Sequence, residues 1–424
     1  MRAWVFISQI YINFMVARCA KNAEQTVRRN SASQKGNYVP KRAYKYRIYP
    51  NAAQVAGLEA MLGAFCDLYN AGLQQRIEAW RRHRIGLRYL DQAAELKAVR
   101  AADDRLAGFS YSAEQQVLRR LNKAFESFFR RLKRGEKPGF PRFQAKSRSH
   151  SAEFRVGDGL TLKTSGRIGC TGIPGEIKVK WHRGFPEGAR TGTAVLSRSA
   201  GKWYVTFLLT LPDESPEPAD RPAVGLDLGL SSLVATSDGD TVAAPRWARA
   251  AQQKTRRLQR RLSRCQRRSK RRTKVKRDLA RHHARVANRR RDLLHKLSRD
   301  LVDRHGLIAI EDLSVDRLSR SMLARSIHDA AWTQLRRSLE YKAESAGVRV
   351  IAVDPRGTSQ ICSACGVPPP VPKTLAQRRH DCAACGVSLD RDVNAARNIL
   401  QRAITYPDQG PGAGLRTSSQ RVAA

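Results

Sequence analysis

The strongest constraint in this 424-residue chain is a set of four cysteines, Cys362, Cys365, Cys382 and Cys385, spaced C-S-A-C, sixteen residues, C-A-A-C. Tetrahedral zinc takes four thiolates, and two short knuckles joined by a hairpin-length spacer supply them. Such a set implies no open coordination position, so the predicted zinc is structural. The remaining cysteines (Cys19, Cys66, Cys170, Cys265) are scattered and read as free thiols, the usage of a reducing compartment. Just after the second knuckle, D-R-D-V-N-A-A-R-N-I-L sets Asp390 and Asp392 at the start of a predicted helix. The open question is which other carboxylates they meet.

Lys and Arg number 79 against 37 Asp and Glu, a formal net charge of +42. A charge of that size calls for a polyphosphate partner. A hydrophobic fraction of 41% is enough for real cores, and the length predicts two or three domains. A histone-like or ribosomal protein that only neutralises charge is rarely so long. No run of 18 apolar residues is present, which argues against a membrane partner. Residues 1–19 loosely resemble a signal peptide, but Gln9 and Asn13 interrupt the apolar stretch. Residues 1–40 are expected to be a disordered extension or a misassigned start, with Met15 as an alternative.

Residues 41–50 alternate basic with aromatic or apolar residues, a strand pattern that Pro50 ends. Asn51 and Gln54 predict a capping box for a helix whose apolar stripe runs from Leu58 to Trp80. A second helix is expected to start at Ser112, with Gln115 as its capping partner and Gly135 as its stop. Arg119, Arg120 and Lys123 lie on its polar side and are candidate phosphate contacts. From 140 to 212, short strands including 176–181, 193–197 and 202–211 predict a small antiparallel barrel or sandwich. The acidic, proline-rich stretch 212–222 marks a domain boundary.

Beyond it, A-V-G-L-D-L-G-L reads as an apolar strand with Asp227 in its middle, and Ser237-Asp238-Gly239-Asp240 offers hairpin turn chemistry. Residues 249–299 hold 22 Lys or Arg against Asp278 and Asp292. Thin seams of apolar residues there predict two long basic helices. Arg256, Arg257, Arg260, Arg261, Arg264, Arg267, Arg268, Lys270, Arg271, Arg272 and Lys274 are the candidate nucleic-acid contacts. A strand at 307–315 carries Glu311, 332–347 is an amphipathic helix capped by Gly347, and 348–355 is a further apolar strand. Strand, helix, strand predicts a parallel α/β layer.

A buried strand carries no carboxylate for stability, because desolvation costs several kcal/mol unless a cation is near. Asp227, Glu311 and one of Asp390 or Asp392 therefore form a candidate site for divalent ions. Oxygen ligands without histidine favour magnesium or manganese.

G-L-D-L-G-L, I-A-I-E-D-L, T-S-Q-I-C-S-A-C-G and D-R-D-V-N-A-A-R-N-I-L, in this order, resemble the transposon-encoded TnpB (OrfB) family, relatives of type V CRISPR effectors. A-Y-K-Y-R-I-Y-P near 44 and K-P-G-F-P-R-F near 137 extend the resemblance over roughly 42–402. It implies a multidomain α/β and β architecture. An RNase H-like (RuvC-like) nuclease domain would span 213–355 and 387–405, with a basic helical insertion at 249–305 and a zinc ribbon at 356–386. A wedge-like β-barrel from 41–50 and 140–212 would precede it, interrupted by a helical recognition lobe at 51–139, and 406–424 would be a disordered tail. The resemblance assigns the third catalytic acid to Asp392, beside Asp227 and Glu311. It also implies a guide RNA transcribed from the transposon end and cleavage of double-stranded DNA beside a short motif. The remaining expectations are a monomer in the RNA complex and a cytoplasmic, nucleoid-associated place in a bacterium or archaeon. Other readings are a nuclease-inactive RNA-guided repressor, an accessory transposition protein, and a structural RNA-binding ribbon protein. A transposase in the strict sense lacks support, since no tyrosine stands with a His-hydrophobe-His metal pair.

Overall fold

The computed structural model describes residues 41–212, 216–313, 324–374 and 376–405. The expected N-terminal extension, the C-terminal tail and Cys19 lie outside the described residues. Two units of structure follow one another along the chain, divided between Asp213 and Glu214 in the stretch expected to part domains.

The first unit opens with strand β1 (Lys41–Tyr49) and helix α1 (Ala52–His83). The capping box forms as read: Gln54 N donates to Asn51 Oδ1 at 2.9 Å, and Asn51 N to Gln54 Oε1 at 3.0 Å. Helices α2 (Tyr89–Ala102), α3 (Asp104–Ala107) and α4 (Tyr111–Lys133) follow. The cap of α4 is Ser110 rather than the expected Ser112: Ser110 has extended backbone and its Oγ accepts from Ala113 N at 3.3 Å. Ser112 is already inside the first turn and buried, so its hydroxyl cannot serve as the cap.

Strands β2 (Ser151–Val156), β3 (Gly159–Leu162), β4 (Ile168–Cys170), β5 (Lys178–Lys180), β6 (Arg190–Ser199) and β7 (Lys202–Thr210) complete the unit. With β1 they form one sheet in the order β4-β3-β2-β6-β7-β1-β5. The two edges meet through paired backbone bonds between Ile168 and Ile177, so the sheet nearly closes on itself. It is not wholly antiparallel, because β2 and β3 pair parallel. The first of these strands begins at 151, later than the expected 140. Helices and sheet share one core, in which Leu58, Met61, Leu73 and Leu121 pack with Tyr46, Phe154 and Phe207, all fully buried. Each such leucine contributes roughly 1.5–3 kcal/mol by its burial.

The second unit is a layered α/β structure. Strands β8 (Ala223–Asp227), β9 (Ser232–Thr236), β10 (Thr241–Ala243), β11 (Leu307–Glu311) and β12 (Arg349–Val353) lie in the order β10-β9-β8-β11-β12. β8, β11 and β12 are mutually parallel, while β9 and β10 form the hairpin expected around Ser237-Asp238-Gly239-Asp240. Between β10 and β11 run the two basic helices, α5 (Trp247–Ser263) and α6 (Lys270–Arg304). Helices α7 (Ala324–Ala330) and α8 (Trp332–Glu344) lead to β12. Gly347 turns the chain at φ +64°, letting Val348 N donate back to Ala343 O at 3.1 Å. A two-stranded ribbon, β13 (Arg379–Asp381) and β14 (Ser388–Asp390), precedes the last helix, α9 (Arg391–Thr405).

Side chains alternate across the sheet. Val224, Leu226, Ile308 and Ile310 point to the layer of α6 and α8, against Leu294, Leu301, Trp332 and Leu335. Ala309, Ile351 and Val353 point the other way, against Ile399 and Ala403 of α9. The face under α9 is the one on which the carboxylates emerge.

Candidate functional site

The strand carrying Asp227 ends on it; the aspartate is not in its middle, as the apolar pattern had implied. The reason is that Leu228 to Leu230, although apolar, form the turn into β9 and make no ladder. β8 and β11 run parallel with Gly225 beside Ala309 and Leu226 beside Ile310. The next residues, Asp227 and Glu311, therefore finish neighbouring strands on the same face. Carboxyl ends of parallel strands are where open α/β sheets bind ligands.

Gly225 brings in the third acid. A Cβ there would stand 2.0 Å from Ala396 O and 2.8 Å from Leu400 N, so the backbone of α9 lies directly on β8. Contact that close sets the start of α9 at the end of β8. Asp392 Oδ2 comes 3.9 Å from where a Cβ on Gly229 would be. The two acids left open by the sequence do different things. Asp390 is exposed, and its Oδ1 accepts from Asp392 N at 2.8 Å and Val393 N at 3.3 Å, so it caps α9. Asp392 is only 13% exposed and accepts from Arg378 Nη2 at 2.5 Å.

The electrostatics follow from this crowding. Burial, then the charges of Glu311 and Asp392, push the Asp227 carboxyl up to about 8, against the pull of Arg378 and Arg391. Burial raises Glu311 too, opposed by a hydrogen bond from Thr358 and by Arg402. Thr358 Oγ1 donates to Glu311 Oε1 at 2.7 Å, fully buried, and orients it. Sequence reading missed Thr358 as a site residue; its only signal was a place in the T-S-Q-I-C motif. Among the described residues, the four cysteines are the one group whose ligand atoms all lie within 4.8 Å of one another. Carboxylate oxygens as donors suit hard cations rather than soft ones.

The cysteines fit zinc closely. Cys362 and Cys385 Sγ are 3.7 Å apart, and Cys365 and Cys382 Sγ 3.6 Å. Thiolates about 2.3 Å from one zinc stand about 3.8 Å from each other at the corners of a tetrahedron. The four could hold a structural zinc ion with almost no rearrangement. The knuckles are built alike: Gly366 N donates to Cys362 O and Gly386 N to Cys382 O, both at 2.9 Å. Each glycine has φ near +75°, a conformation side chains disfavour. Backbone N–H groups of Cys385 and Ala384 lower the Cys382 thiol, while burial and the neighbouring thiols raise those of Cys365 and Cys385.

The ribbon is tied to the helix that bears Asp392. Asn394 and Asn398, both buried, donate through Nδ2 to Ile361 O at 2.8 Å, and Asn398 also to Thr358 O at 2.8 Å. Ser363 N returns a bond to Asn394 Oδ1 at 2.9 Å. Arg391, also buried, donates to Thr374 O at 2.6 Å.

The basic candidates divide. Arg256, Arg257, Arg260, Arg261, Arg264, Arg267, Arg268, Lys270, Arg271 and Lys274 are exposed, and none makes an ion pair among the described residues. Arg272 instead donates to Leu262 O at 2.7 Å and to Cys265 O at 3.3 Å, closing the turn between α5 and α6. On α4, Lys123 is exposed and Arg119 lies over the Tyr89 ring, while Arg120 donates to Ser151 O at 3.2 Å. No helix among the described residues is long and apolar enough to cross a membrane.

Fold and site together define a basic, cysteine-ribbon α/β protein with carboxylates gathered at the ends of parallel strands. A family model described as a probable transposase, OrfB of the IS605 type, matches residues 206–322. One described as a Cas12f1-like TNB domain matches 332–399. A third, a helix-turn-helix domain, matches 40–84, where this chain builds β1 and the single helix α1. The chain is 35% identical over 388 residues to a candidate RNA-guided DNA endonuclease of Streptomyces pristinaespiralis, covering 90% of this chain and 94% of that one. It is 33% identical over 383 residues to a candidate RNA-guided DNA endonuclease of Escherichia coli, InsQ, covering 84% and 91%. Over 120 residues it is 38% identical to the CRISPR-associated endodeoxyribonuclease Cas12f1 of Sulfoacidibacillus thermotolerans, 27% of this chain and 28% of that one. The chain belongs to the TnpB (OrfB) family of the IS605 type. A Cas12f1–sgRNA–target DNA complex aligns with 85% of this chain and 99% of its own at 15% identity and a TM-score of 0.32.

Proposed function

We propose that this protein is an RNA-guided DNA endonuclease of a transposable element, hydrolysing phosphodiester bonds at a target beside a short flanking motif. The observation that carries the reading is the convergence of Asp227, Glu311 and Asp392 at the ends of β8, β11 and the start of α9, in a chain whose net charge is +42. A site that accumulates negative charge at the cost of raising its own pKa values is one built for cations. The similarity over most of both chains to relatives named as candidate RNA-guided DNA endonucleases supports the same activity here.

In this reading Asp227, Glu311 and Asp392 would hold two magnesium or manganese ions, whose chemistry would be to activate a water and stabilise the leaving oxygen. Thr358 fixes Glu311, and Asp390 and Gly225 fix the start of α9 that presents Asp392. Zinc on the four cysteines is structural. The sheet of the second unit, with its basic insertion α5–α6, serves as an RNase H-like, RuvC-like nuclease domain. The nearly closed sheet of the first unit serves as the wedge barrel, and α1 to α4 as the recognition lobe that reads the flanking motif. Exposed arginines and lysines of α5 and α6 take guide RNA and DNA phosphates, while base pairing reads sequence.

The test is to express the protein with its element's flanking DNA, sequence the co-purifying RNA, and assay cleavage. Asp227→Ala and Glu311→Ala should retain the RNA and target binding and lose cleavage by a factor of roughly 10³ or more, on the order expected when a metal ligand is removed. Asp390→Ala should keep cleavage and cost about 1 kcal/mol of stability as a lost helix cap. Cutting by the Asp227→Ala protein would sink the assignment.

A further inference from the structure

The acid site already contains a cation of its own. Arg378, from the segment between the two cysteine knuckles, donates through Nη2 to Asp392 Oδ2 at 2.5 Å. Its guanidinium is also one of two that pull the Asp227 carboxyl downward. The other, Arg391, is buried and spends its donors on Thr374 O, Gln377 O and Ser359 Oγ, so it is a fixed strut. Arg378 is built differently. Its main chain is anchored, with Arg391 N donating to Arg378 O at 2.8 Å. Its side chain is 45% exposed and reaches the 13% exposed carboxylate from the solvent side. An ion pair with so wet a partner is weakly held and can exchange.

Resting on the two-ion reading above, we propose that Arg378 is a built-in countercation of the acid site, a positioning residue that divalent ions must displace. Without metal, its guanidinium neutralises and orients Asp392 beside two other carboxylates whose charge Arg391 and Arg402 offset only in part. With a dication on Asp392 the Arg378 guanidinium would leave the carboxylate, while its anchored backbone would keep it at the rim. An arginine released there has a planar pair of donors suited to a phosphate oxygen. Metal loading and substrate phosphate would thus share one swinging side chain, carried by the cysteine ribbon.

The test uses the full-length, zinc-loaded protein stripped of nucleic acid, with Mn2+ as the probe, its binding followed by the loss of free-Mn2+ EPR signal. Arg378→Gln should bind Mn2+ roughly tenfold more tightly, a typical coupling between two competing ligands. Arg378→Lys should return affinity toward wild type, because it restores the charge. In an Asp392→Asn background the Arg378→Gln effect should disappear. An Arg378→Gln protein with unchanged or weaker Mn2+ affinity would overturn the proposal. Asp227→Asn separates this failure from that of the two-ion reading. If it abolishes Mn2+ binding while Arg378→Gln changes nothing, only the countercation role falls; if it changes nothing either, both readings fall.

Discussion

At the scale of single residues, the site is governed by where each carboxylate sits, and neighbouring acids in the sequence have opposite fates. Asp390 and Asp392 are two positions apart, yet one caps a helix and the other faces the charge of Asp227. The consequence of crowding is a pH dependence whose sign can be worked out. Asp227 has its folded pKa raised from 3.8 to about 8. Its protonated form is favoured by the fold, so its contribution to metal-free stability is fully present below 3.8 and is lost as pH rises through about 8. Divalent ions need the ionised form, so Mn2+ affinity should climb by up to about tenfold per pH unit below that point. Calorimetric titration at pH 6, 7 and 8 checks this. A flat wild-type profile would contradict it, and Asp227→Asn should reduce the pH dependence of what binding remains to the part that Glu311 supplies.

At the scale of elements, the acid site depends on contacts that contain no acid. Helix α9 lies on β8 because Gly225 has no side chain, and it is held to the ribbon by Asn394 and Asn398. Gly225→Ala would drive a methyl group into the backbone at Ala396 and Leu400. It should destabilise the second unit by about 1–3 kcal/mol, the usual range for overpacking, and lower cleavage with it. A melting curve and a cleavage assay on the same preparation test both effects. Zinc removal should act through the same joint. Cys382→Ser should lower bound zinc and cleavage together, although no cysteine has been assigned to the chemistry. Normal cleavage by a zinc-free protein would show that the ribbon does not support Asp392.

At the scale of the whole molecule, the net charge of +42 makes any nucleic-acid affinity steeply salt-dependent. The α5–α6 insertion concentrates the part of that charge left without ion pairs among the described residues. Replacing Arg256, Arg257, Arg260 and Arg261 with Gln should flatten the plot of log K against log salt by about 0.9 for each B-DNA phosphate the protein no longer neutralises. An unchanged slope, from fluorescence anisotropy at several salt concentrations, would move the nucleic-acid surface elsewhere. Arg272→Gln should instead loosen the α5–α6 turn, since its guanidinium is already bonded to Leu262 O and Cys265 O.

The sequence by itself determined what depends on short spacings and local periodicity. The cysteine ribbon follows from two knuckles of fixed length, the α1 capping box from residues three apart, and the basic helices from charge with a thin apolar seam. Asp227 was legible as a carboxylate set in an apolar run, and the family motifs joined Glu311 and Asp392 to it. What sequence could not decide is which of several equivalent residues the fold would use. Ser110 rather than Ser112 caps α4, Asp227 ends its strand instead of lying within it, and Thr358 reaches Glu311. The Thr358–Glu311 contact joins residues 47 apart, which no local pattern encodes. Only the packing of α9 on Gly225, through the distant backbone of Ala396, determines that Asp392 stands beside Asp227 with Arg378 between it and solvent.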